Sequence, residues 1–200
     1  MSQIKLLHSG GNGVIIAAPD SNPASDRTLK LPSDHDSTLD TLNRAGNVLQ
    51  YKVAQKNNTS SANSTSMVEI SSDLRITITP TSATNLIVIQ AQLSYMATGN
   101  YGCAAMIKKN TASDFSGTTS NVYEPSTFTV STHGNAINYG YVSGYMQSTP
   151  IQVYEIAGNT TARTYSPFYT ASSTSTVYLN EYGTSYKATS TMVVMEIVPT

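Results

Sequence analysis

From Met67 onward apolar side chains recur at alternate positions, and a period of two confines the backbone to strands with one buried face. Leu74, Ile76 and Ile78 alternate with Arg75, Thr77 and Thr79, and Pro80 ends the run because it has no N–H for a ladder. Asn85 to Tyr95 begins as an unbroken apolar stretch and then alternates, as expected of a central strand. Tyr101 to Lys108, Thr127 to Ser131, Tyr139 to Gln147, Ile151 to Ile156, Tyr165 to Tyr169, Thr176 to Leu179 and Met192 to Val198 are further strand-length segments. About nine strands divided by turns predict an all-β fold, an antiparallel, jelly-roll-like β-sandwich over residues 67–200.

The surface of such a fold would be polar but weakly charged. The chain has 54 Ser plus Thr, 15 Asn and 13 Tyr, while 11 Lys plus Arg face 12 Asp plus Glu for a net charge of -1. Phosphate recognition needs a concentrated basic face, so this balance argues against a nucleic-acid partner. No apolar run is long enough to span a membrane, and Met1 to His8 lacks the apolar core of a signal peptide, so synthesis in a cytoplasm without membrane insertion is expected. The single cysteine, Cys103, lies in an apolar stretch without His or acid beside it and is expected to pack as a small hydrophobe.

Ahead of the alternating region the pattern changes. Residues 1–47 carry only short bursts, Val14-Ile15-Ile16 ahead of Pro19 and Leu29 with Leu31 ahead of Pro32. These are too small to bury themselves, so pairing with other copies of the chain is expected, in a short, extended, β-rich N-terminal stem. Leu39 and Leu42, three apart between Ser37 and Ala45, fit one short helix. Residues 48–66 read as a strand, Val48 to Val53, followed by a polar linker over residues 57–64.

Chemistry-bearing constellations are sparse. Asp34-His35-Asp36 alternates faces on an extended chain and reads as a solvated turn, not a metal site. Gly10-Gly11-Asn12-Gly13 lacks phosphate-loop spacing and reads as a turn. Glu69, Asp73, Asp114, Glu124, Glu155, Glu181 and Glu196 are the acids from which a glycosidase pair could come, but none has a companion in sequence. A non-enzymatic chain without cofactor or metal is therefore expected. Tyrosine offers a stacking face and a hydroxyl, which makes Tyr139, Tyr141, Tyr145, Tyr178, Tyr182 and Tyr186 the candidate ligand contacts, with core or subunit interface as the competing use.

Gly13 to Pro19 and Asp26-Arg27-Thr28-Leu29-Lys30-Leu31-Pro32 resemble a short segment common in fibre proteins of tailed bacteriophages. From Met67 to Pro199 the chain is similar to a β-sandwich found at the C-termini of tail fibres, especially those of cyanophages. The carriers are Leu74 to Pro80, Asn85 to Tyr95, Thr149 to Tyr154 and Met192 to Ile197. The resemblance implies a homotrimeric virion protein assembled in the host cytoplasm, with no catalytic residues. Its front segment, with Val14, Ile15, Ile16, Leu29, Leu31, Leu39 and Leu42, would serve virion attachment and the trimer interface, docking on tail, neck or capsid proteins. Its sandwich would bind a glycan or protein of the host surface. Alternatives are a capsid decoration or cement protein, a head or neck fibre without receptor binding, and, third, a glycan depolymerase.

Overall fold

The computed structural model describes residues 3–7, 10–11, 13–17, 45–69, 71–98, 102–122, 138–141, 146–171, 176–182 and 186–199, which divide into two units, Met1–Asp40 and Thr41–Thr200. In the front unit β1 (Gln3–Leu7) and β2 (Gly13–Ala17) form an antiparallel hairpin, with Lys5 opposite Ile15. Gly11 in the connection has φ +92°, a conformation that costs glycine nothing. Gly10 and Gly11 thus lie in a turn, as the composition of the stretch predicts. The Val14-Ile15-Ile16 burst is a strand with a backbone partner in its own chain, Gln3–Leu7, which reads weakly as a strand because polar and charged residues interrupt it. Leu29, Leu31, Leu39, Leu42, the helix over 37–45, Asp34-His35-Asp36 and the strand over 127–131 lie outside the described residues.

The larger unit is all-β and antiparallel, a β-sandwich-like pair of sheets. Its strands are β3 (Val48–Lys56), β4 (Ser60–Ala62), β5 (Val68–Glu69), β6 (Ile76–Ile78), β7 (Leu86–Ala97), β8 (Gly102–Asn110), β9 (Ser120–Asn121), β10 (Asn138–Tyr141), β11 (Gln147–Ile156), β12 (Arg163–Ala171), β13 (Val177–Leu179), β14 (Glu181–Tyr182), β15 (Tyr186–Lys187) and β16 (Ser190–Ile197). One sheet runs β10-β8-β12-β5, with β6 also on β12 and β9 on β8; the other runs β3-β16-β7-β13-β4, with β11 on the free side of β7. The apolar run of β7 makes it central, flanked by β11 on one side and by β16 and then β13 on the other.

Between the sheets lie Ile87, Ile89, Ala91 and Leu93 of β7, Ile151 and Val153 of β11, and Met192 and Val194 of β16, against Cys103, Ala105 and Ile107 of β8 and Tyr165 and Tyr169 of β12. Tyr95 and Tyr169 meet edge to face with ring centroids 5.7 Å apart. Cys103 is fully buried, as its sequence context predicts, and burial pushes its thiol up to about 12.

Three boundaries differ from the sequence reading. The strand expected from Leu74 begins at Ile76, because Ser72–Leu74 form a 3-10 turn capped by Ser71, whose hydroxyl accepts from the Asp73 N–H. In residues 48–66 the expected strand is present and runs on to Lys56, and the polar stretch read as a linker holds a short strand as well. β3 pairs with the closing strand β16 from Val48 to Lys56, and β4, in the polar stretch, pairs with β13. The polar residues are tolerated because edge strands need only one satisfied side. Of the strand expected over 139–147, residues 139–141 lie in β10 of one sheet, whereas Gln147 opens β11 of the other, the strand expected over Ile151–Ile156 extended towards its start.

Candidate functional site

Two sheets pressed together leave their ends as the places where polar side chains from both can meet. At one end β8 finishes at Asn110, β9 returns beside it with Ser120 opposite Lys109, and the β11–β12 turn passes through Gly158, whose φ is +70°. Asn159 Oδ1 accepts from the Thr161 N–H at 3.0 Å and from an Arg163 guanidinium nitrogen at 2.7 Å. Buried Arg163 also donates to the carbonyls of Ala157 at 2.7 Å and Asn159 at 2.9 Å, fixing the turn from beneath. Asn110 does the same for the loop after β8, donating to the Ser116 carbonyl at 2.9 Å and accepting from Ala112 N–H at 3.0 Å.

Glu155 links the sheets here. From β11 its carboxylate accepts from Lys109 of β8, from Tyr165 Oη of β12 at 2.7 Å and from Arg163 at 3.4 Å. Burial first, and Glu155 second, push the Tyr165 hydroxyl far above the usual phenol range, so it stays a donor. The result is an open pocket of ≈ 260 Å³ lined by Lys109, Asn110, Thr111, Thr118, Ser120, Asn159, Thr161 and Arg163. Its lining is hydroxyl, amide and cation, without a carboxylate. Two cations against Glu155 leave the site one positive charge in excess, which suits an acidic or polyhydroxylated ligand. The residues lining it supply no second acid at glycosidase spacing for Glu155.

The described tyrosine candidates fall on three pairs of strands. Tyr139 and Tyr141 are on β10, opposite Ala104 and Gly102 of β8. Tyr178 belongs to the other sheet, half-buried against the core and opposite Met96 and Ser61. Tyr182 and Tyr186 oppose each other in the β14–β15 hairpin. Tyr145 lies outside the described residues. Sequence reasoning missed the pocket residues because they come from two connections far apart in the chain, β8–β9 and β11–β12. The repeated Asn-Thr pairs, Asn110-Thr111 at the end of β8 and Asn159-Thr160 in the β11–β12 turn, were the available signal.

Among the described residues no group of three His, Cys, Asp or Glu could hold a metal, and no helix is long and apolar enough to cross a membrane.

No family model matches this chain, and no curated protein does. Among solved structures, that titled "Structure of infectious bursal disease virus Gt strain" is similar at a TM-score of 0.39 and 12% identity, over 95% of this chain and 48% of that one. The "Crystal structure of infectious bursal disease virus VP2 subviral particle" is similar at 0.35 and 14%, over 87% of this chain and 42% of that one. The chain thus spans less than half the length of these solved chains. Likenesses this distant carry no argument about its role.

Proposed function

We propose that this chain is a structural component of a virus particle, a fibre-type appendage that attaches through its front segment and carries the sandwich to a carbohydrate on the host surface. The observation that carries the reading is the pocket at the sheet ends, where hydroxyl, amide and cationic side chains converge and the neighbouring Glu155 is already engaged by Lys109, Arg163 and Tyr165. Such a lining binds sugars and does not cleave them, and several copies on one particle would turn weak contacts into avidity.

The test applies the full chain to immobilised neutral and uronate- or sialate-bearing oligosaccharides. The acidic set is expected to be retained, and Lys109→Gln to weaken retention about tenfold by removing a charge-assisted contact. Retention of neither set removes the carbohydrate reading, and release of shorter oligosaccharides would make the chain a depolymerase.

A second reading, a decoration or cement protein clamping capsid subunits, is favoured by the exposed apolar side chains Tyr51, Val53, Tyr154 and Ile156. Cross-linking on purified particles separates the two. Contacts of residues 1–47 with tail or neck proteins are expected for the appendage, and contacts with capsid proteins alone would replace it with the decoration role.

A further inference from the structure

The strands β3, β16, β7 and β11 keep one face out of the core, and their registers align that face into rows. Val48, Ile197, Leu86 and Ile156 make the first row; Tyr51, Met195, Val88 and Tyr154 the second; Val53, Val193, Gln90 and Gln152 the third; Gln55, Thr191, Gln92 and Pro150 the fourth. The first two rows are wholly apolar. No position in the four rows is Lys, Arg, His, Asp or Glu. Among the described residues the exposed large apolar side chains are Val48 (51%), Tyr51 (62%), Val53 (55%), Tyr154 (68%) and Ile156 (68%), and all of them lie on this face.

From these observations we propose that this face is the docking surface for a second copy of the chain, face to face about a two-fold axis. The inference is separate from the carbohydrate reading, since the pocket lies elsewhere on the sandwich.

Area supports it. Four strands about 4.8 Å apart and four rows about 6.8 Å apart give roughly 500 Å² in projection, so two copies bury roughly 1,000 Å² even before side-chain relief is counted, about the threshold for a specific interface. Charge supports it as well, because a face without ionised groups meets its own copy without like-charge repulsion and offers nothing to select a charged partner. Symmetry favours two over three. A ring of three sets this face against a different patch of its neighbour, and among the described residues the exposed large apolar side chains form no second patch, whereas a two-fold contact needs only a surface that matches itself. Two sheets meeting this way would stack about 10 Å apart, as sheets do within a sandwich.

Light scattering on the full 21.4 kDa chain decides it, with far-UV circular dichroism confirming that each variant is folded. The wild type is expected at twice the chain mass by about 100 µM. Tyr154→Lys and Val53→Lys, each adding a charge to an already exposed position, are expected to weaken association about tenfold or more. Ser113→Lys, in the exposed loop after β8, is expected to leave it unchanged. A wild-type mass of one chain, which would leave the face to residues 1–40 or to a different protein of the particle, overturns the proposal. So does a trimer, or a two-chain mass that neither face substitution moves. Oligosaccharide retention measured on the same samples keeps a failure of this interface distinct from a failure of the carbohydrate reading.

Discussion

The two faces of one sheet invite comparison, because the same strands build both. Inward, β7 and β16 present Ile87, Ile89, Met192 and Val194, sealed against the opposite sheet; outward, the same strands present Leu86, Val88, Val193 and Met195, only partly covered. Both faces are apolar, so hydrophobicity does not tell core from surface here. What separates them is how polar groups are treated. The inner face admits Glu196 only with every oxygen engaged. Oε1 accepts from Thr81 N–H at 2.6 Å, Thr81 Oγ1 at 2.8 Å and Asn85 at 2.7 Å, and Oε2 accepts from Gln50 at 2.5 Å. The outer face admits amides and no charge. The lesson is that an alternating strand announces one buried face, whereas a strand apolar on both sides announces a second partner.

The sharpest way to break this contrast is to cut into the inner face. Ile89→Ala is expected to lower unfolding free energy by about 2–5 kcal/mol, through lost transfer energy plus the cavity left behind, measured by urea denaturation. A smaller loss, comparable with outer-face truncations, would mean that the two faces are energetically alike.

Next in size is the buried carboxylate. Glu196→Ala takes one acceptor each from the Asn85 and Gln50 amides, which keep Thr81 Oγ1 and the Thr79 carbonyl, and from the Thr81 N–H and hydroxyl, and about 1.5–3 kcal/mol is expected to go. Its titration gives the contrast a pH signature. Burial pushes the carboxyl up, but the Asn85, Thr81 and Gln50 donors together outweigh burial and hold it below its ordinary value of 4.5. A carboxyl lowered in the folded chain contributes stability that is present above its unfolded value and lost as pH falls through the folded one. Thermal midpoints should therefore drop below about pH 4.5, and Glu196→Gln should flatten that drop.

Smallest is the effect of trimming the outer face. Ile156→Ala is expected to change the stability of dilute protein by no more than about 0.5 kcal/mol, since its side chain is already largely in water. A loss of several kcal/mol in dilute solution would show the face covered within a single chain.

Much of this architecture was legible in the sequence. Ile76 to Ile78, the apolar run of β7 and the closing β16 declare themselves by period, and Cys103 by its neighbours, whereas Leu74, which shares the alternation, closes a 3-10 turn. β4 did not, because Ser60-Ser61-Ala62 carries no apolar signal and becomes a strand only by pairing with β13. The pocket was invisible for a related reason. Glu155 meets Lys109, 46 residues away, only because β11 and β8 end side by side, and local periodicity is silent on which strand ends meet. The outer face was half visible, since Ile151 to Ile156 is apolar on both sides, but its coherence depends on registers that bring Tyr154, Val88, Met195 and Tyr51 into one row.

Cys103, the chain's one sulfhydryl, sits between Gly140 of β10 and Ala171 of β12. An alkylating reagent can reach that sulfur only while a neighbouring strand has let go, and the same opening wets the thiol and lifts the burial that keeps it protonated. The pace of its labelling becomes a clock for how often the sandwich breathes, readable on free protein and assembled material alike, with no second site to confuse the count.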